Sequence, residues 1–372
     1  MTNIGINNDI TVGGRKFHVQ TGISDSNDTI VSTVFLDGLV IETKQLDVRD
    51  DSTKEEKENR VKELHQELIT EMEVLYYINE KVKAVKHAPS ANKLGMLFLE
   101  KNLFDEAVEQ FDLAMELNPK LSEVYANLGK TQLMNDRYDA AIEILTKGAD
   151  QAPDYADIQN YLGIAYLYKE EYADAIAHLE KAIDLNENYI GAQYQLGIAC
   201  LAQSMDEQKS ESSEELQTRG VEYLNKAAEK MLNRQIANFD KVMEKVKDGE
   251  YEGAINEFLL SKPRDIITQI TGIENEFYLK FMYGGKGKDD VFIAEYVDKL
   301  KEAIDKHPEY ADVRNNLGVA NLIQCRNLFL KSLDEFRAAL KINPDFKKAE
   351  KNLKLAENDG KGFLILLRAI LK

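Results

Sequence analysis

Asn92-Lys-Leu-Gly95, Ala126-Asn-Leu-Gly129 and Asn160-Tyr-Leu-Gly163 state one phrase three times, at intervals of 34 residues. That period belongs to a helix–turn–helix unit, which cannot bury its apolar face alone and stacks on copies of itself. With Ala88 as the first position of a unit, Leu94, Gly95, Phe98, Ala107, Phe111, Ala114 and Pro119 fall at fixed offsets. From Ser122 the same slots hold Tyr125, Leu128, Gly129, Ala141, Leu145, Gly148 and Pro153. From Ala156 they hold Leu162, Gly163, Tyr166, Ala175, Leu179 and Ala182, without the closing proline. Small residues in the eighth and twentieth slots let two antiparallel helices cross closely, and the large residues beside them fill the groove. Proline at the end of the second helix stops it, because it lacks an N–H and disfavours a helical residue before it.

The slots resemble those of the tetratricopeptide repeat (TPR) family. The likeness extends over about residues 88–346, most closely in its first third and at its end. The expected fold is mainly α: a solenoid of antiparallel helix pairs. Past residue 189 the array loosens. A fourth unit starts near Ile190 with Leu196 and Gly197, is split by the polar, acidic stretch Ser204–Leu216, and resumes at Val221–Ala227. Glu250–Phe258 and Ile293–Pro308 read as further second helices, whereas Arg264–Asp290 fits no repeat. A last unit starts at Ala311, with Leu317, Gly318, Phe336, Ala339 and Pro344, and its turn is longer by roughly two residues.

Residues 1–50 follow another period. Ile10–Val12, Lys16–Thr21, Thr29–Leu36 and Leu39–Gln45 are rich in β-branched and aromatic residues, and Gly13-Gly14 and Asp37-Gly38 sit between adjacent runs as hairpin turns. The expectation is a small antiparallel β-meander, which resembles the module with a Phe-His-Val-Gln-Thr strand that precedes TPR arrays in some uncharacterised bacterial proteins. So small a sheet needs a cover. Residues 54–87 supply one: they lack Gly and Pro and carry Val61, Leu64, Leu68, Met72, Leu75, Ile78, Val82 and Val85 at helical spacing. Two readings of this stripe stand side by side, packing on the sheet and first repeat, or a coiled-coil dimer seam. The domain boundaries expected are 1–50, 51–87, 88–203, 204–310, 311–357 and 358–372.

The chain has 372 residues and a net charge of −18. That balance argues against nucleic acid, whose phosphates require a basic face. Residues 88–189 hold roughly 19 acidic and 8 basic side chains, so the regular repeats carry most of the excess and would steer basic partners. The first residues show no basic region followed by an apolar run, so no secretory leader is read there. Cys200 and Cys325 read as small buried apolar residues in a reducing, cytoplasmic compartment.

The sequence presents no catalytic or metal-binding pattern. His18, His65, His87, His178 and His307 form no zinc pattern. Gly284-Gly-Lys-Gly-Lys288 fails as a phosphate loop because Met282 stands where the first glycine should be and Asp289 follows Lys288. No catalytic residue, cofactor or metal site is expected.

The resemblance implies instead a concave groove lined by the first helix of each unit. Its matching positions are Asn92, Met96 and Leu99; Ala126, Lys130 and Leu133; Asn160, Ile164 and Leu167; Tyr194, Ile198 and Leu201; and, in the last unit, Asn315, Val319 and Leu322. Lys130 has no basic companions in phase, so a carboxylate clamp is not expected. An apolar groove fits an amphipathic or basic helix of a protein partner, or part of the stripe is covered by the chain's own irregular middle region or by Arg264–Asp290. The tail 363–371, with Phe363, Leu364, Leu367, Ile370 and Leu371, is apolar on nearly all sides and too short to span a membrane. It either folds back or docks on a partner, a second copy or a membrane surface. The expected function is a non-enzymatic adaptor or assembly scaffold. The alternative is self-assembly through the tail or the long helix.

Overall fold

The computed structural model describes residues 5–24, 29–48, 53–206, 211–230, 238–260, 270–286, 289–306 and 311–370. The chain divides into two compact units, Met1–Gly272 and Ile273–Lys372.

The first unit opens with a four-stranded antiparallel meander, β1 Gly5–Val12, β2 Arg15–Ser24, β3 Thr29–Leu36 and β4 Leu39–Asp47. Gly13-Gly14 and Asp37-Gly38 form its two-residue turns, each with both residues at positive φ, as a mirror-image turn between twisted strands requires. Alternation puts Phe17, Val19, Thr21, Ile30, Ser32 and Val34 on the inner face. The helix α1, Lys54–Val85, lies on that face. It starts at a capping box in which Thr53 and Glu56 bond each other's backbone N–H. Val61, Leu64, Leu68, Met72, Leu75, Ile78 and Val82 are all buried within the chain, and Val85 at the helix end is exposed, so the stripe leaves no continuous seam for a coiled coil.

Three helix pairs follow: α2 Ala88–Glu100 with α3 Phe104–Leu117, α4 Ser122–Met134 with α5 Tyr138–Gln151, and α6 Ala156–Tyr168 with α7 Tyr172–Leu185. Each turn passes through one left-handed residue, Asn102, Asp136 or Glu170, again 34 residues apart. The eighth-slot glycines are contact points. A Cβ on Gly95, Gly129, Gly163 or Gly197 would sit 2.3–2.6 Å from carbons of Phe111, Leu145, Leu179 or Leu224.

The fourth pair, α8 Ile190–Asp206 and α9 Glu211–Lys230, corrects the expected split: only 207–210 lie outside the described residues, and the acidic stretch extends both helices. Glu211 onward lacks Gly or Pro until Gly220, so nothing there ends a helix. A shorter hairpin, α10 Phe239–Lys247 and α11 Tyr251–Leu260, turns at Gly249.

The second unit holds α12 Ile270–Met282 from its fourth residue onward, α13 Asp290–Lys306, α14 Ala311–Ile342 and α15 Lys347–Ile370. Phe277 stacks on Phe281, Phe292 and Tyr296. Here the expected last repeat does not form: residues 311–342 are one continuous helix. The stretch 319–342 has no glycine, proline or left-handed residue to make a turn, and a Cβ on Gly318 would meet nothing within 4 Å. α14 therefore packs on α13 and α15 instead of doubling back on itself. Cys325, expected to be buried, is exposed on this helix, while Cys200 is buried. The backbone of α15 runs unbroken past Gly360 and Gly362. The side chains of Phe363, Leu364, Leu367 and Ile370, and Leu371 entirely, lie outside the described residues.

Candidate partner-binding groove

The first helices of successive units lie side by side, α2 on α4, α4 on α6 and α6 on α8. One face of this row therefore gathers the same slot from each repeat. Asn127 Nδ2 donates to Asn92 Oδ1 at 2.9 Å across the first step, and Thr131 donates back to the Asn127 carbonyl. His178 and Gln159 bond at 2.9 Å between α7 and α6, and His178 stacks flat on Tyr166.

The expectation of an open groove is corrected by burial. Asn92, Met96, Leu99, Lys130, Leu133, Asn160, Ile164, Leu167, Tyr194, Ile198 and Leu201 are at most 9% exposed. At the α8 end the cover is visible: Leu167, Tyr194, Ile198 and Leu201 share one core with Phe239, Val242, Met243 and Val246 of α10 and Ala254 and Phe258 of α11. The sequence left open that the irregular middle region covers part of the row, but Glu250–Phe258 read as a second helix of the stack and not as that cover. Asn315, by contrast, is exposed on α14, with Val319 and Leu322 half-buried.

Beneath this surface several polar groups have no partner. Asn160 Oδ1, Gln193 Oε1, Tyr194 OH and Gln195 Oε1 are buried without a hydrogen bond. Such atoms are few in native proteins, because each carries the full penalty of desolvation. Lys130 is buried beside them in the row. Burial pushes its ammonium down to about 8, against the opposing pull of Glu100 and Asp157. Asp157 in turn accepts from Tyr189 at 2.7 Å. Among the described residues no group of His, Cys, Asp and Glu is placed to hold a metal ion, and no helix is long and apolar enough to cross a membrane.

Paired helices repeating every 34 residues, with a glycine at each crossing, define an α-solenoid of two-helix repeats. The tetratricopeptide repeat family matches residues 98–163 and, in a second form, 156–189, so this part of the chain is built of tetratricopeptide repeats. Among solved structures it is similar to MamA (25% identity, 45% of this chain and 86% of that one, TM-score 0.36). It is also similar to YrrB, described as a TPR protein with an unusual peptide-binding site (17%, 54% and 97%, 0.35). Human IFIT1, solved as a dimer with m7Gppp-AAAA, is similar at 16% identity over 76% of this chain and 66% of that one, with a TM-score of 0.37. No curated protein sequence matches the chain.

Proposed function

We propose that the chain is a non-enzymatic protein-interaction adaptor that takes a segment of a protein partner along the row formed by α2, α4, α6 and α8. The observation that carries this reading is the set of buried polar atoms without a partner on α6 and α8, Asn160 Oδ1, Tyr194 OH and Gln195 Oε1, beside the buried ammonium of Lys130. Polar atoms left unpaired in the free protein destabilise it, and a ligand that pairs them recovers that penalty as affinity. The excess of acidic residues favours a basic or amphipathic partner.

Self-assembly through α1 loses its seam, since the stripe is used within the chain. Self-assembly through the tail is tested by the light-scattering mass of the full chain and of a 1–359 truncation.

The adaptor reading is tested by quantitative capture of partners on the immobilised full chain and on Lys130→Met. The substitution keeps the stem and removes a buried charge, so it should not unfold the solenoid. Capture reduced at least tenfold is the expected result. Equal capture by both forms contradicts it. Ile164→Glu and Ile198→Glu are unsuitable tests: both side chains are buried, and a carboxylate there would disrupt the fold itself.

A further inference from the structure

In a stack of this kind each repeat touches only its neighbours. The α10–α11 hairpin breaks that rule. Counted along the chain it is the fifth pair, yet the ring of Phe258 lies 6.1 Å from that of Tyr168, at the end of the third pair's first helix. Phe258 also lies 5.6 Å from Tyr194, and Phe239 lies 5.3 Å from Tyr194. The hairpin therefore crosses the inner row instead of extending the stack. α10 enters with Phe239, Val242, Met243 and Val246, the i, i+3, i+4, i+7 stripe of an amphipathic helix laid in a groove.

We propose that α10–α11 is a built-in ligand: it occupies the groove between α6 and α8 and is displaced by an amphipathic partner helix of the same pattern. This inference rests on the adaptor reading and names what the groove accepts. The partner presents an aromatic residue followed by aliphatic residues at three, four and seven positions further on. Its outer face carries a slight basic excess, as α10 itself does with Lys241, Lys245 and Lys247 against Asp240 and Glu244 in a chain of net charge −18. The fit of the internal occupant is incomplete. Tyr194 OH, beneath the two phenylalanines, has no hydrogen-bond partner, and neither has Gln195 Oε1 beside it in sequence. A partner helix that brings a donor to these atoms gains an interaction that the hairpin does not make.

The test uses the full chain and a labelled synthetic peptide spanning residues 238–260, with binding read by fluorescence anisotropy. Wild type should bind the peptide weakly. Phe239→Ala with Phe258→Ala, which loosens the internal copy, should bind it at least tenfold more tightly. Equal affinity in both forms would overturn the built-in ligand, leaving the adaptor reading to the capture experiment on Lys130→Met. No binding by the loosened form would also overturn it, leaving the adaptor reading to the capture experiment. Hydrogen exchange on unmodified chain guards against a variant that fails to fold. The α10–α11 amides should exchange at least a hundredfold faster than those of α4–α7 through local opening, and equally slow exchange would count against displacement.

Discussion

Arg15 and Glu106 lie 91 positions apart, yet the Arg15 Nη1 sits 2.9 and 2.8 Å from the two carboxylate oxygens of Glu106. The pair joins the first residue of β2 to the first turn of α3. Tyr76 of α1 donates to the same carboxylate at 2.7 Å, so sheet, long helix and first repeat meet at one buried anion. Gly13 completes the joint: its backbone approaches the Tyr76 ring so closely that a Cβ would lie 2.1 Å from it. The β-module is thus the solenoid's N-terminal cover, because the first repeat has no preceding unit to bury its outer face.

Breaking this joint should destabilise the whole N-terminal half. Arg15→Ala leaves Glu106 buried with Tyr76 as its remaining donor and should cost about 2 kcal/mol, less than a fully buried pair because Arg15 is partly exposed. Tyr76→Phe should cost about 1 kcal/mol. Denaturant unfolding of the two single variants and the double variant measures the coupling. Additive effects would show that the three groups do not act as a unit.

The glycine slots separate repeats that close from the one that does not. Gly129→Ala drives a Cβ to 2.3 Å from Leu145 and should cost about 1–3 kcal/mol by overpacking. Gly318→Ala adds a methyl in open space inside a helix and should stabilise by about 0.5–1 kcal/mol. Thermal melts of the two variants decide. A loss at Gly318 matching that at Gly129 would mean that α14 folds as a helix pair after all.

Lys130 gives a pH signature. Its folded pKa is near 8, against 10.5 when free. Above pH 8 the unfolded chain still binds a proton that the folded chain has shed, so stability should rise between pH 8 and 9.5, by about 1–2 kcal/mol. Lys130→Met should be more stable than wild type at pH 7 and lose that rise. A parallel pH dependence in the two proteins would show that Lys130 is not the group responsible.

His65 gives the opposite limb. Its Nδ1 is 2.8 Å from Thr21 Oγ1, which is 2.6 Å from Ser32 Oγ, and its Nε2 is buried without a partner. Burial holds the imidazole below its ordinary range. As pH falls below about 6.5 the unfolded chain takes up the proton first, so the folded state loses stability. His65→Leu should flatten this acid limb between pH 6.5 and 5 in melts followed by circular dichroism. An unchanged limb would place the titrating group elsewhere.

The short-range parts of the fold are legible in sequence because their causes are local. Gly13-Gly14 and Asp37-Gly38 dictate turns, Thr53 and Glu56 dictate a helix start, and Gly95, Gly129 and Gly163 mark helix crossings. The last repeat misleads because Leu317, Gly318 and Phe336 keep their slots while the turn between them is missing. A slot pattern records which residues would pack if the chain doubled back, and it does not itself make the turn. The groove positions were legible as one face of one row, and cover by the middle region stood as an alternative, but which residues supply it was not legible. Phe239 and Phe258 reach Tyr194 and Tyr168 through long-range packing that no local period encodes.

The most direct test of the central claim, that unpaired polar groups on the inner row are kept for a partner, is Asn160→Leu. The side chain is buried with its Oδ1 unpaired, so an apolar replacement of the same branching should not lower stability and should raise the melting temperature by a few degrees. The account predicts a melting temperature at or above that of wild type together with partner capture reduced at least tenfold. Full capture by an equally stable variant would contradict it.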